Sequence, residues 1–261
     1  MMKRSLKNVW SPQLRNRRDV DVYLPASYPS GARYPVVYIM DGQNLSDPAT
    51  AFAGTWDLEA TIARLASRGL EAIYVGVHHA GRNRLEEYSP FPDPRHGGGR
   101  ADEYLAFLVQ TVKPRIDRIF HTRRDRDATT ILGSSMGGLV SLYAFFRYPS
   151  VFGRTGVMSP SIWFGQGAIL DFIREARTPQ GRIYLDVGTA EGAGTLRDVR
   201  RLGRLLVRKG YRRQRARAAD VRRARTASAM RYIEDAGGRH CEAAWAARLE
   251  GALTFLLATP S

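Results

Sequence analysis

Thr129-Thr130-Ile131-Leu132-Gly133-Ser134-Ser135-Met136-Gly137-Gly138 is the stretch on which the fold turns. Thr129–Leu132 is a short β-favouring run and reads as a buried strand. Met136 to Arg147 is apolar almost all round and reads as a helix buried inside the molecule. Between them lies Gly-x-Ser-x-Gly, with Ser135 at its centre. A serine thrust out at a sharp strand-to-helix turn sits in strained backbone, and Gly133 and Gly137 remove the Cβ atoms that would collide there. The helix start then aims its free N–H groups at the same spot and favours negative charge. This context predicts a nucleophile elbow. The bland alternative is a tight turn in which Ser134 and Ser135 only cap the helix.

On either side of this stretch, short β-rich runs alternate with helical patterns. Expected strands are Val20–Leu24, Val36–Met40, Ala72–Val77, Thr129–Leu132, Thr155–Met158, Ile183–Val187 and Met230–Ile233. Expected helices are 57–67, 102–119 with a kink at Pro114, 136–147, 197–207 and 243–257. Strand alternating with helix predicts an α/β fold whose mostly parallel sheet is covered on both faces. No repeat or long linker divides the 261 residues, so one domain spanning 1–261 is expected. Gly81 to Arg100 reads as one long surface loop.

Composition narrows the classes. A hydrophobic fraction of 44% supports a sizeable core and excludes wholesale disorder. One cysteine, Cys241, excludes an internal disulfide and a Cys-rich zinc site. No apolar run approaches the roughly 18 residues of a membrane span, and no signal sequence follows the basic start, so the expectation is a cytoplasmic protein without a membrane partner. The net charge of +15 is concentrated: residues 197–231 hold 13 Arg and one Lys against two Asp. Its centre, Tyr211 to Arg225, lacks the interleaved aromatics that base stacking wants, so it reads as a solvated face and nucleic acid is not the expected partner. Gly97-Gly98-Gly99 lacks the Lys-Ser/Thr of a phosphate loop, and no metal or cofactor motif is present.

A serine hydroxyl needs a base to take its proton. After such an elbow the partners follow in the order Ser, acid, His. Of the five histidines only His240 comes after Ser135, in a loop behind Gly237-Gly238-Arg239. His78 and His79 are neighbours on a strand and point to opposite faces, a poor metal pair. The acid is expected after a later strand, which selects Glu191 in the loop behind Ile183–Val187, with Asp186 as the second choice. A developing oxyanion needs aimed donors. The N–H of Met136 is one candidate, and the N–H of Gln43, in Asp41-Gly42-Gln43-Asn44-Leu45, is the other.

These segments together resemble the putative-esterase branch of the α/β-hydrolases, which includes enterochelin-type esterases, esterase D, feruloyl and acetylxylan esterases, and mycolyltransferases. The resemblance runs from VYLPASY through YPVVYIMDGQNLSDPATAFAGTWDLEAT, EEYSPF, ILGSSMGGLVSLYAFFRYPSVFG, MSPSIWF and YLDVGTAEG to EDAGGRHCEAAW. It implies an α/β-hydrolase fold, a Ser135–Glu191–His240 triad, Gln43 and Met136 as oxyanion donors, and no cofactor. Two departures stand out. Ser46 replaces the usual Phe, which is expected to open the pocket wall. The basic stretch 211–229 looks like a surface insertion longer than the family's usual link.

Trp163, Trp56, Phe52, Tyr88 and Phe91 fall on loops at the sheet edge where such sites form and are the expected walls of an acyl or aryl pocket. Too few residues separate Ser159 from Ile183 for a large lid, so an open site for a small-molecule or carbohydrate-linked ester is expected. The competing functions are acyl transfer on the same residues and binding of an anionic partner by the 211–225 segment. Nothing in the sequence sets the oligomeric state.

Overall fold

The computed structural model describes residues 2–51, 53–214 and 228–258. Nine strands of the described residues form one sheet in the order β1 (Met2–Ser11), β2 (Asn16–Leu24), β4 (Ile73–Val77), β3 (Val36–Met40), β7 (Thr129–Ser134), β8 (Arg154–Met158), β9 (Arg182–Gly188), β11 (Ala229–Asp235) and β10 (Arg212–Gln214). The pairs β1/β2 and β2/β4 are antiparallel, and all the others are parallel. β3, β4, β7 and β8 are buried at every position, as strands covered on both faces must be. This is the α/β-hydrolase arrangement expected from the sequence, with no large lid among the described residues.

Helices cover the two faces. On one lie α3 (Ala101–Phe107), α4 (Lys113–Ile119), α5 (Met136–Arg147), α6 (Ala168–Glu175) and α7 (Ala193–Arg208), around a core of Tyr38, Val75, Ile131, Leu139, Phe145 and Leu185. On the other lie α1 (Leu58–Ala66) and α8 (Glu242–Leu257), around Val37, Ile39, Leu132, Trp56, Leu249 and Leu253. The alternation of burial partners along β3 (Val37 and Ile39 to one side, Tyr38 to the other) follows the two-residue period of a strand. The expected kink at Pro114 is a π-type turn at Leu108–Val112, just before the proline that cannot donate an N–H.

Three expectations are corrected. β1 was not read from the sequence: most of its residues are exposed, so it carries no alternating apolar signal. The 81–100 segment is not one open loop. It contains α2 (Arg84–Tyr88) and a small hairpin, β5 (Pro92–Asp93) with β6 (Gly97–Gly98). Glu87 of α2 takes two hydrogen bonds from Arg18 of β2, at 2.7 and 2.9 Å, with neither side chain reached by solvent. The Arg18 guanidinium also lies over the rings of Tyr104 and Phe107. Finally, the first residues of the stretch read as a basic insertion belong to the sheet. Tyr211 is buried, with its hydroxyl donating to Pro179 O at 2.6 Å, and Arg212–Gln214 form the edge strand β10. Residues 215–227, and with them most of the basic 211–225 segment, lie outside the described residues.

Candidate active site

The elbow explains its own glycines. Ser135 joins β7 to α5 with φ 55° and ψ −122°, a conformation that side chains rarely adopt. A Cβ on Gly133 would lie 2.6 Å from the backbone of Gly137, and one on Gly138 would lie 2.9 Å from Met158 O. Only glycine lets the turn close this tightly. The Ser135 amide donates to Met158 O at 3.0 Å, and Ser135 O accepts from the Ser161 amide at 3.1 Å, so the β8–α6 connection braces the turn from one side.

Ser135 Oγ lies 3.0 Å from His240 Nε2, although 105 residues separate them. His240 Nδ1 lies 2.8 Å from Glu191 Oε2. The three side chains chosen from the sequence therefore meet in one chain of hydrogen bonds. His240 is 40% exposed at its side chain, whereas the Glu191 side chain is closed to solvent. Burial alone pushes the Glu191 carboxyl up. Hydrogen bonds from His240, Ser159 Oγ (2.6 Å) and the Gly188 amide (2.7 Å) outweigh it and hold the carboxyl below its ordinary value. Asp186, the second choice, is fully buried within β9. It accepts from the Ser159 amide at 3.0 Å and faces Arg248 Nε at 3.2 Å, and its bonds do not reach the histidine. Its burial pushes the carboxyl up to about 7.

The amides chosen as oxyanion donors both sit at helix starts. Met136 is the first residue of α5, and Gln43 lies in a single 3₁₀ turn, Gly42–Asn44. Helix geometry leaves such N–H groups without an internal acceptor. A Cβ on Gly137 would lie 3.0 Å from Met40 Cβ, so the end of β3 runs directly against the start of α5. Gly42 is needed for the same closeness: its Cβ would fall 2.4 Å from the Gly76 carbonyl carbon.

A cleft of ≈ 650 Å³ opens over Ser135 and His240. Its other walls include Gln43, His79, Arg82, Arg84, Glu242 and Trp245. Arg84 is held by Asp41 through two hydrogen bonds, 2.7 and 2.8 Å. Burial pushes the His79 imidazole below its ordinary value and the Glu242 carboxyl above its own. Of the expected aromatic walls, Trp56 and Tyr88 are corrected. Trp56 is buried and packs against Trp245, with ring centres 6.1 Å apart. Tyr88 is fully buried, and its hydroxyl accepts from the Asp41 amide at 3.2 Å. Both stiffen the walls from behind and cannot touch a ligand in the cleft. Phe52 lies outside the described residues. Phe91 packs among Tyr143 and Phe172. Trp163 is 49% exposed and lines a separate groove with Arg95, His96 and Gln166. Ser46 does not line the cleft, and its hydroxyl bonds Tyr23 at 2.8 Å.

Sequence reasoning missed Ser161, Trp245 and Arg248. Ser161 Oγ is 3.2 Å from Ser135 Oγ. The Trp245 ring stands edge-on to His240, 5.0 Å between centres. Trp245 and Arg248 sit on α8 at helical spacing, where an amphipathic reading sees only core. Among the described residues, no cluster of His, Cys, Asp or Glu could hold a metal ion, and no helix is long and apolar enough to cross a membrane.

Comparison with known proteins fits this geometry. The chain is 28% identical over 194 residues to the uncharacterized protein YbbA of Bacillus subtilis, covering 72% of this chain and 74% of that one. It is 28% identical over 163 residues to the ferri-bacillibactin esterase BesA of the same organism, covering 56% and 54%. The crystal structure of the BES protein from Bacillus cereus superposes with a TM-score of 0.74 at 20% identity, over 98% of this chain and 95% of that one, a likeness of fold. The model of the putative esterase family matches residues 11–256. The chain therefore belongs to the putative esterase family, carboxylic ester hydrolases on the α/β-hydrolase fold.

Proposed function

We propose that the protein is a serine esterase working through Ser135, His240 and Glu191. The observation that carries this reading is the unbroken line Ser135 Oγ–His240–Glu191, at 3.0 and 2.8 Å, on the floor of an open cleft. His240 Nε2 accepts the Ser135 proton as Oγ attacks the ester carbonyl. The Nδ1–H donates to Glu191, which fixes the tautomer and stabilises the imidazolium. The amides of Gln43 and Met136 donate to the oxygen of the tetrahedral intermediate. Collapse expels the alcohol, protonated by His240, and leaves Ser135 acylated. Water, activated by the same imidazole, clears the acyl group.

The half-exposed imidazole and the open cleft give water direct access, which favours hydrolysis over acyl transfer. The substrate is a small soluble ester. Siderophore esters belong to this class, as the names of the bacillibactin and enterobactin esterases among its relatives indicate. The test is hydrolysis of a short-chain nitrophenyl ester by the wild type and Ser135→Ala. The variant should lose about 10⁴-fold or more in kcat. Full activity in the variant would refute the mechanism.

A further inference from the structure

Ser159 has the features of a residue held in place for a purpose. It directly follows β8 with φ 41°, a left-handed conformation that costs a non-glycine residue energy and persists only when the surroundings over-determine it. Here they do. Its amide donates both to Asp186 O (3.1 Å) and to Asp186 Oδ1 (3.0 Å). Its hydroxyl has three partners: Trp245 Nε1 at 3.0 Å, Arg248 Nη2 at 2.8 Å and Glu191 Oε1 at 2.6 Å.

The chemistry of these partners fixes the direction of each bond. Indole N–H and guanidinium can only donate. They fill both lone pairs of the Ser159 oxygen, so its single proton has one remaining acceptor, Glu191 Oε1. Together with the Gly188 amide, that proton saturates Oε1 and leaves Oε2 to face His240 Nδ1. Arg248 is itself pinned by Asp186 (3.2 Å) and Asp235 (3.1 Å), and lies 3.6 Å from Glu191. Trp245 serves both ends of the relay, because its ring packs against His240 while its N–H holds Ser159.

The geometry points to Ser159 as a positioning residue: a hydroxyl whose proton is steered by Trp245 and Arg248 onto Glu191, holding that carboxylate in one orientation toward His240. The assignment rests on Glu191 being the acid of the proposed mechanism. The charged groups that face Glu191 are His240 and Arg248, with Asp186 close by. Of these only Arg248, 3.6 Å from Oε1 and held by Asp186 and Asp235, is a donor near that oxygen.

Glycine separates this role from a merely structural one. Ser159→Gly relieves the left-handed strain and deletes the hydroxyl. A structural role predicts a variant as active as wild type and no less stable. The positioning role predicts kcat lower by roughly 10–100-fold, the worth of one hydrogen bond to a charged group, with KM unchanged. It also predicts that the acid limb of the kcat profile moves to lower pH, because a carboxylate no longer held toward His240 stabilises the imidazolium less. Ser159→Ala, which keeps the strain, should show the same kinetic loss with a lower Tm. Glu191→Gln is measured in parallel. If it is inactive while Ser159→Gly keeps full kcat and an unmoved limb, the role of Ser159 is refuted and the mechanism stands. If Glu191→Gln is fully active, the acid assignment itself fails and the relay fails with it.

Discussion

His240 Nδ1 and Glu191 Oε2 are 2.8 Å apart, one group half in solvent and the other closed to it. The exposed imidazole is free to turn, and the buried carboxylate is what stops it. Glu191→Gln keeps the shape but offers the imidazole an amide. It should lower kcat by about 10²–10⁴-fold with little change in KM. Steady-state kinetics on a nitrophenyl ester measure this directly; an equal change in KM alone would point to a binding role.

Glu191 also predicts a pH dependence of stability. Its carboxyl is held below the ordinary value of 4.5. A depressed carboxyl adds stability that is present above that ordinary value and is lost as pH falls through the folded one. The stability gap between wild type and Glu191→Gln should therefore hold constant from pH 7 to 5 and close below about pH 4.5. Urea unfolding at a series of pH values reads the gap, and a gap that widens in acid contradicts it.

Asp186 should behave in the opposite sense. Its carboxyl is pushed up to about 7 from 3.8. A raised carboxyl contributes stability at low pH that is lost as pH rises through the folded value. Wild type should then lose stability as pH rises from about 4 to about 7 and level off above it, and Asp186→Asn should flatten that slope while retaining activity. A steeper slope in the asparagine variant would show that Asp186 is ionised and paired with Arg248 throughout.

The Arg18–Glu87 pair anchors α2 to β2 without solvent contact. Glu87→Gln leaves the guanidinium buried opposite a neutral amide and should cost about 3–5 kcal/mol. Arg18→Met with Glu87→Leu removes both charges and should recover much of that loss. Thermal or urea unfolding of the three proteins decides; a single variant as stable as wild type would mean that water reaches the site.

Gly133→Ala tests the elbow. The added methyl would meet the Gly137 backbone at 2.6 Å, where nothing flexible can yield. A loss of about 1–3 kcal/mol in stability is expected, with a larger fall in kcat, because α5 must shift away from Ser135. Gly251→Ala is a control inside α8 with open space around it, and it should leave kcat unchanged and raise stability by up to about 1 kcal/mol.

What could be read from the sequence was what local pattern encodes. The elbow is contained in six consecutive residues. Glu191 and His240 are singled out because each sits in a loop behind a strand and because their order along the chain is constrained, and the structure sets them in one hydrogen-bonded line with Ser135. Trp56 and Tyr88 were misread because an aromatic residue near a sheet edge looks the same whether it faces a cleft or supports one from behind. Ser159 and Arg248 were missed for another reason. Their contact spans 89 residues, and neither side chain carries a spacing signal toward the other. β1 was missed because an exposed edge strand has no buried face to impress a period on its residues.

The order of these parts along the chain has a consequence for biosynthesis. Under the proposed mechanism the nucleophile emerges from the ribosome 105 residues ahead of its base, and α8, which carries Trp245 and Arg248, follows later still. A growing polypeptide can then close its elbow early, yet it stays hydrolytically inert until the first turns of that helix dock. Any chain shortened ahead of Glu242 would be a silent one, harmless to the esters around it.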